Sequence, residues 1–221
     1  DFVPSVDGMI SALSERTRIV YLANPENPAG TYLSGTEIRR LHAELPDDVL
    51  LVLDCAYEEY VTAADYEPGH ILAGEAENVI AARTFSKVYG LAGARVGWVF
   101  GSPAIIDVIR RVGVTFPLSN PSAAAALAAL EDTGHVEMVR KQNAAERIAL
   151  TDRLSGFGLT VVPSQTNFLL VHFSDPSRSA AAVTSFLKER EILIRRDASP
   201  AYADYIRITL GLPSENASCV D

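Results

Sequence analysis

The sequence has little cysteine and no long apolar run, and these absences exclude several classes of protein. Its 221 residues include two cysteines, Cys55 and Cys219, which lie far apart and form no C-x-x-C pair. A disulfide framework or a structural zinc site is therefore not expected. The longest apolar stretches are of strand length, well below the ~20 residues that span a bilayer. Residues 1–4 have neither a basic n-region nor the start of an apolar signal core.

Positive charge is also scarce. The chain has 19 Lys and Arg residues against 28 Asp and Glu residues, a formal net charge of −9, and no basic block interrupts this balance. Nucleic acid and anionic membranes are therefore not expected as partners. The four histidines show no metal-ligand spacing. Hydrophobic residues make up 48% and charged residues 21%, close to the globular average, so we expect a globular cytoplasmic protein without a metal.

Short apolar runs alternate with helical patterns along the first part of the chain. Such alternation predicts a parallel sheet covered by helices. Ser34 followed by Glu37 is a capping-box pattern that predicts the start of one helix, and Pro103 predicts the start of another over residues 104–112. The predicted strands comprise residues 18–23, 49–53, 78–82 and 96–100.

From Pro121 onward the pattern changes. Residues 121–130 form an Ala-rich helical pattern and residues 135–154 a longer one, which ends before Gly156 and Gly158. Beyond this break the sequence predicts a small α+β domain, with a helix over residues 180–189 and strands over residues 159–162, 168–171, 192–195 and 205–210. We therefore predict two domains, residues 1–130 and residues 131–221, of which the second begins with the long linking helix.

Polar side chains follow the first two predicted strands. The segment N-P-E-N-P-A-G, residues 24–30, follows the first strand, and Asp54-Cys55-Ala56-Tyr57 follows the second. Ligands of open parallel sheets bind beyond the carboxyl ends of the strands, so Asp54 is a candidate site residue. Each segment also has a plain alternative, because Asn, Pro and Gly are common in ordinary turns and an Asp at a strand end can simply be solvated.

The most informative segment is T-F-S-K-V-Y-G-L-A-G-A-R-V-G-W, residues 84–98, between the third and fourth strands. Its hydroxyls, its backbone amides and Arg95 suit a phosphate dianion, and the amine of Lys87 is a candidate Schiff-base nucleophile. The spacing is not that of a Walker loop, and no G-x-G-x-x-G follows a first strand, which argues against a nucleotide-binding Rossmann domain. A fourth motif is R-I-T-L-G at residues 207–211, whose arginine, taken alone, could face solvent from a strand.

Together, these four motifs resemble those of the class I/II aminotransferases, which are pyridoxal-phosphate enzymes of fold type I. The family patterns N-P-x-N-P-T-G, D-x-A-Y, S-K-x-x-G-L-A-G-x-R-x-G and R-[IV]-[TS]-x-G occur in family order, with one departure, Ala29 where the first pattern has Thr, and the resemblance covers essentially the whole chain. It implies an α/β fold, with a mostly parallel sheet in a partial large domain and a small α+β C-terminal domain. Within the family, residues 83–93 are most similar to the histidinol-phosphate aminotransferases.

The resemblance also implies roles in binding pyridoxal 5'-phosphate. Lys87 would attach the cofactor as an internal aldimine and then move the proton between substrate and cofactor. Asp54 would pair with the pyridine nitrogen, while Asn27 and Tyr57 would hydrogen-bond the phenolic oxygen of the ring. The cofactor phosphate would be bound by three further side chains, those of Thr84, Ser86 and Arg95.

The substrate would meet two arginines. The resemblance implies that Arg207 binds the anionic group of the substrate and that Arg195 helps. The implied reaction is transamination between histidinol phosphate and 2-oxoglutarate in histidine biosynthesis, carried out by a homodimer. Aromatic amino-acid aminotransferases and threonine-phosphate decarboxylases share these motifs and stay open as alternatives. A non-catalytic, aminotransferase-like ligand-binding module or an inactive fragment is an alternative of a different class.

Members of the family carry an additional N-terminal segment that this sequence does not contain. In the family that segment contributes the first strands of the large sheet, a phosphate loop and an aromatic side chain that covers the cofactor ring. We therefore expect the 221-residue chain alone to have weak or no activity.

Overall fold

The computed structural model describes residues 2–220, which divide into two compact units. The first, called here the sheet unit, comprises residues 3–25 and 32–140. The second, called here the C-terminal unit, comprises residue 2, residues 26–31 and residues 141–220.

The sheet unit alternates strands with helices. Its strands are β1 (Ile19–Ala23), β2 (Leu50–Asp54), β3 (Val79–Thr84) and β4 (Gly97–Gly101). Its helices are α1 (Val6–Ser11), α2 (Gly35–Ala43), α3 (Gly69–Glu75), α4 (Pro103–Val112), α5 (Asn120–Glu131) and the first part of α6 (Thr133–Gly156). The strands lie in the order β1-β2-β3-β4; β1, β2 and β3 are parallel, and β4 is antiparallel to β3. The prediction of an α/β fold with a mostly parallel sheet is confirmed.

One face of this sheet carries the core of the unit. Helix α2 begins where the capping box predicts, because Ser34 Oγ accepts a hydrogen bond from the N–H of Glu37 at 3.4 Å. Side chains of α2 and β2 are buried together on this face: Ile38, Leu41, Leu51 and Leu53. Because side chains alternate along a strand, Asp54 points to the opposite face, where it is half-buried.

The C-terminal unit has a small antiparallel sheet with helices. Its strands are β5 (Thr160–Val162), β6 (Phe168–His172) and β7 (Tyr205–Thr209), with β6 in the middle, and its helices are α7 (Ala180–Lys188), α8 (Pro213–Val220) and the rest of α6. The core lies between α6 and the sheet and includes Leu150, Leu154, Leu169, Val171 and Ile206. The arrangement is the predicted α+β one.

The predicted strand over residues 192–195 is wrong. Of residues 192–195, Arg195 alone pairs with β7, through an isolated bridge in which its backbone exchanges hydrogen bonds with Arg207 at 3.1 and 2.8 Å. Ile194 packs against the core of the unit and Leu193 is 81% exposed, so the side chains alternate as in a strand, but the backbone pairing is confined to Arg195. Directly afterwards the N–H of Ser199 bonds to Asp197 Oδ1 at 2.9 Å, and the chain turns away.

The division between the two units falls inside α6, between Arg140 and Lys141, and residues 26–31 group with the C-terminal unit. The sequence predicts domains of residues 1–130 and 131–221, with the boundary just before this helix. Those domain limits stay a prediction.

A buried ion-pair cluster joins the segment that follows β2 to the end of strand β3. Arg83 on β3 donates to Glu58 and, at 2.6 Å, to Glu59 Oε1, and its guanidinium lies 5.2 Å from the ring centroid of Trp98 on β4. The three charged side chains are only 9–11% exposed. Because Glu58 and Glu59 follow Asp54 closely and Arg83 precedes Thr84, this cluster holds together the two segments that carry the acid and lysine motifs.

Replacement of Arg83 by methionine should destabilise the protein by about 3–5 kcal/mol, because two carboxylates would stay buried without their cation. The measurement is the free energy of unfolding from urea titration. The matched control is Arg39→Met, since Arg39 also bridges two glutamates, Glu67 and Glu75, but with 40% of its side chain exposed. An Arg83 variant no less stable than the Arg39 variant would contradict a structural role for the buried cluster.

Candidate active site

Asp54 lies at the carboxyl end of β2, on the half-buried face of the sheet. Its register neighbours, Ala23 on β1 and Ala82 on β3, both have small side chains. Its Oδ1 accepts a hydrogen bond from the N–H of Ala56 at 3.1 Å, and its Oδ2 accepts one from the hydroxyl of Tyr21 at 2.6 Å. Each oxygen of the carboxylate is therefore held by one donor.

Lys87 lies in the loop that leaves β3. Its Nζ is 4.9 Å from the ring centroid of Tyr57, which is 6% exposed and follows Asp54 at the end of β2. The N–H of Gly90 closes the turn on Lys87 O at 2.9 Å, with a φ of 68° at Gly90, a backbone conformation that favours glycine. The segments after β2 and β3 thus bring the tyrosine and the lysine of two motifs into contact.

The same loop gathers donors suited to an anion. Ser86 N–H donates to Thr84 Oγ1 at 3.0 Å, and Arg95 Nη1 donates to Ser86 Oγ at 3.3 Å and to the carbonyl of Ala92 at 2.9 Å. Arg95 is exposed and adopts a left-handed backbone with a φ of 54°, which is uncommon for a residue other than glycine. Two hydroxyls and a guanidinium in one loop can bind a phosphate dianion.

Asn27 and Arg207 meet in the C-terminal unit. Arg207 Nη1 donates to Asn27 Oδ1 at 2.6 Å, and the guanidinium carbon lies 4.8 Å from the ring centroid of Phe168. The turn that carries Asn27 is fixed around Gly30, whose φ is 82° and where an added Cβ would lie 2.3 Å from Ser164 Oγ. This close approach explains a glycine at the end of the N-P-E-N-P-A-G segment.

Arg195 is placed beside Arg207 by the bridge between their backbones. Its side chain is exposed. Its predicted role in binding the substrate stays a prediction.

The predicted site residues are divided between the two units. The sheet unit holds Asp54, Tyr57, Thr84, Ser86, Lys87 and Arg95, and the C-terminal unit holds Asn27, Arg195 and Arg207. Within each unit the structure brings motifs together, Tyr57 with Lys87 and Asn27 with Arg207. The roles of these residues stay predictions.

Sequence reasoning missed Tyr21 and the partners of Arg83. The only signal for Tyr21 was its position two residues before Ala23, which places both on the same face of β1. The two glutamates next to Tyr57 were visible in the sequence, but nothing there linked them to Arg83.

The chemistry of the sheet-unit residues is complementary to a particular kind of ligand. A carboxylate can hold a protonated ring nitrogen, a hydroxyl and guanidinium cluster can hold a phosphate, and a lysine amine can attack a carbonyl carbon. A phosphorylated heteroaromatic aldehyde has all three groups.

The described residues show neither a metal-binding cluster nor a membrane-spanning helix. Residues 2–220 contain no cluster of His, Cys, Asp and Glu side chains that could hold a metal ion. In the same range, no helix has both the length and the apolar character needed to cross a membrane.

The chain has clear relatives among known proteins. A family model described as aminotransferase class I and II matches residues 1–219. The chain is 47% identical over 216 residues to the histidinol-phosphate aminotransferase of Rhodospirillum centenum, covering 98% of the chain and 60% of that protein. It is 43% identical over 221 residues to the enzyme of the same name from Nitrobacter winogradskyi, covering 100% of the chain and 60% of that protein.

A solved structure of similar fold belongs to a protein with the same name as these relatives. The crystal structure of histidinol-phosphate aminotransferase from Sinorhizobium meliloti in complex with pyridoxal-5'-phosphate matches with a TM-score of 0.90 and 32% sequence identity. The match covers 98% of this chain and 59% of that chain. The chain spans about 60% of the length of the curated relatives it matches.

Proposed function

Because the chain belongs to the aminotransferase class I and II family, we propose that the protein is a pyridoxal-phosphate-dependent aminotransferase acting on histidinol phosphate and 2-oxoglutarate. The observation that carries the proposal is the convergence of the Asp54 carboxylate, the Lys87 amine and the Ser86–Arg95 donors at one end of the sheet unit. The names of the relatives support the substrate.

The donor set fits the cofactor. Asp54 would hold the pyridine nitrogen, and Thr84, Ser86 and Arg95 would hold the phosphate. Lys87 is the amine that would attach the aldehyde carbon. When bound, pyridoxal phosphate supplies an electron sink for the bonds at the substrate Cα.

Lys87 is the residue that would move the proton. Its Nζ would take up the proton from the substrate Cα and later give it up again, so it has to alternate between the neutral and the charged form. The face of the Tyr57 ring, 4.9 Å away, provides a surface that orients the amine and attracts it when it is charged. Burial of Tyr57 keeps that ring in place.

Arg207 would bind the anionic group of the substrate, which in histidinol phosphate is the phosphate. A guanidinium presents two parallel donors to such a group, and the Phe168 ring under Arg207 restricts its orientation. Arg195, next to Arg207 through the backbone bridge, is the second cation of this part of the proposal.

The proposed partner is a second copy of the protein, in the cytoplasm. Large apolar side chains of α4, α5 and the segment between them are strongly exposed, which supports an interface there: Val112, Val114, Phe116, Leu127 and Leu130. Phe116 is 91% exposed and is the most prominent of them.

Lysine trapping tests the cofactor and its attachment point. Within residues 1–221 the candidates are Lys87, Lys141 and Lys188, and borohydride reduction of the intact protein with pyridoxal phosphate followed by peptide mapping distinguishes them. We expect a reduced adduct on Lys87, complete loss of it in Lys87→Ala, and full retention in the control Lys188→Ala. An adduct on Lys141 or Lys188 instead would contradict the proposed site.

The reaction is tested with the intact protein and a panel of amino donors. We expect 2-oxoglutarate-dependent transamination of histidinol phosphate. Preference for an aromatic amino acid, or release of carbon dioxide from threonine phosphate, would overturn the proposed substrate. Adduct formation on Lys87 without turnover of any donor would favour a ligand-binding module.

Replacement of Arg207 by alanine should raise the KM for histidinol phosphate roughly 10- to 100-fold with a smaller change in kcat, because a charge-assisted contact to the substrate is lost. Steady-state kinetics of the intact protein measure both. The matched control is Arg190→Ala, since Arg190 likewise lies over a ring, 3.5 Å from the centroid of Phe186. Equal KM values for the Arg207 variant and the unsubstituted protein would exclude the assigned role.

The dimer is tested by light scattering. Phe116→Glu should shift the protein from dimer to monomer, because a charged group cannot be buried in an apolar interface without a partner. Leu193→Glu is the control, since Leu193 is 81% exposed in the C-terminal unit. A Phe116 variant with an unchanged mass would place the interface elsewhere.

A further inference from the structure

Tyr21 donates a hydrogen bond to Asp54, and it belongs to none of the four sequence motifs. From its geometry we infer that Tyr21 is a positioning residue, which holds the Asp54 carboxylate in the orientation needed to bind the ring nitrogen of the cofactor. The inference rests on the proposed function, since it concerns the same site. It adds a residue of β1 to a site whose other residues in the sheet unit lie on β2, on β3 and in the segments that follow these two strands.

The register of the parallel strands brings the two side chains together. Ala23 of β1 lies opposite Asp54 of β2, and Tyr21 shares the face of Ala23 because it precedes it by two residues. A tyrosine is long enough to span this diagonal, and its hydroxyl reaches Asp54 Oδ2 at 2.6 Å. The alanine between them leaves the path of the phenol ring clear.

The two donors to Asp54 act on different oxygens. Ala56 N–H reaches Oδ1 from the loop, and Tyr21 O–H reaches Oδ2 from β1, so rotation of the carboxylate about its Cβ–Cγ bond would break one of the two. An ionised carboxylate has about four lone-pair sites, so acceptor capacity is left for a ring N–H. The hydrogen bond from Tyr21 thus helps to fix the plane of the carboxylate, and with it the directions of the lone pairs that stay free.

The phenol keeps its proton in the physiological range. Burial, followed by the hydrogen bond and charge of Asp54, raises the pKa of Tyr21 to about 12. Near neutral pH the hydroxyl is therefore a permanent donor to Asp54. The ring itself is 62% exposed in the described residues, so its place is set more by this hydrogen bond than by packing.

The chain offers a matched pair for comparison. Tyr32 O–H donates to Asp65 Oδ1 at 2.7 Å in the same unit, and this hydrogen bond likewise raises the pKa of Tyr32. Asp65 belongs to no motif of the proposed site. Tyr32→Phe therefore removes the same kind of hydrogen bond without touching Asp54.

The experiment compares Tyr21→Phe with Tyr32→Phe in the intact protein. Three quantities are measured: the dissociation constant of pyridoxal phosphate, the pH midpoint of the visible band of the loaded protein, and the urea midpoint of unfolding. For Tyr21→Phe we expect cofactor binding to weaken about 10-fold, equivalent to ~1.4 kcal/mol, together with a displaced pH midpoint. For Tyr32→Phe we expect both cofactor quantities to be unchanged. A purely structural Tyr21 would lower the urea midpoint and leave the other two as they were.

A double-mutant cycle identifies Asp54 as the intermediary. In an Asp54→Asn background, Tyr21→Phe should have at most a 2-fold effect on cofactor binding, because the group through which it acts has been changed. A full 10-fold effect in that background would overturn the inference, as would normal binding by Tyr21→Phe alone. If the unsubstituted protein binds no pyridoxal phosphate, the proposed function fails and this inference fails with it. If pyridoxal phosphate binds on Lys87 with the same dissociation constant in the unsubstituted protein and in Tyr21→Phe, only the inference is overturned.

Discussion

The parallel pairing of β1, β2 and β3 is the constraint on which the candidate site depends. It aligns the carboxyl ends of the strands, so that Asp54 lies between Ala23 and Ala82 and the chain leaving β3 passes directly into the lysine loop. A register slip of one residue in β2 would turn Asp54 to the buried face and expose Leu53. The buried face, filled by Leu51 and Leu53, therefore fixes the position of the acid as firmly as any contact the acid itself makes.

The loops at this edge are held by interactions of very different kinds. Arg83, buried between two glutamates, ties the segment after β2 to the end of β3, and the buried ring of Phe85 anchors the start of the lysine loop in a cluster with Val96. By contrast, Lys87 is half-buried over the ring of Tyr57, and Arg95 is exposed and donates hydrogen bonds to Ser86 and to the carbonyl of Ala92 within its own loop. Within residues 2–220, Glu59 Oε2 and Arg83 Nε are buried without a hydrogen-bond partner, so the cluster is costly to form and even more costly to break.

The sequence predicted the α/β class, most of the elements and the motifs, because hydrophobic periodicity and turn residues are local signals. It failed where the outcome depends on neighbours. Residues 192–195 have a strand-like pattern, and Ile194 does pack against the core, yet only Arg195 among them forms a bridge to β7, because backbone pairing depends on where the partner strand lies. The contact between Tyr21 and Asp54 depends on strand register, and the pairing of Arg83 with Glu58 depends on two segments meeting in space. Neither can be found from spacing along one chain.

The contact between Asn27 and Arg207 has a consequence for the amide that sequence reasoning could not supply. A guanidinium can only donate hydrogen bonds, so the amide oxygen of Asn27 has to face Arg207, and this fixes which end of the amide is which. The guanidinium thus determines how the side chain of Asn27 is oriented. Loss of Arg207 would remove this constraint on the amide, whereas loss of Asn27 would leave the guanidinium stacked on Phe168.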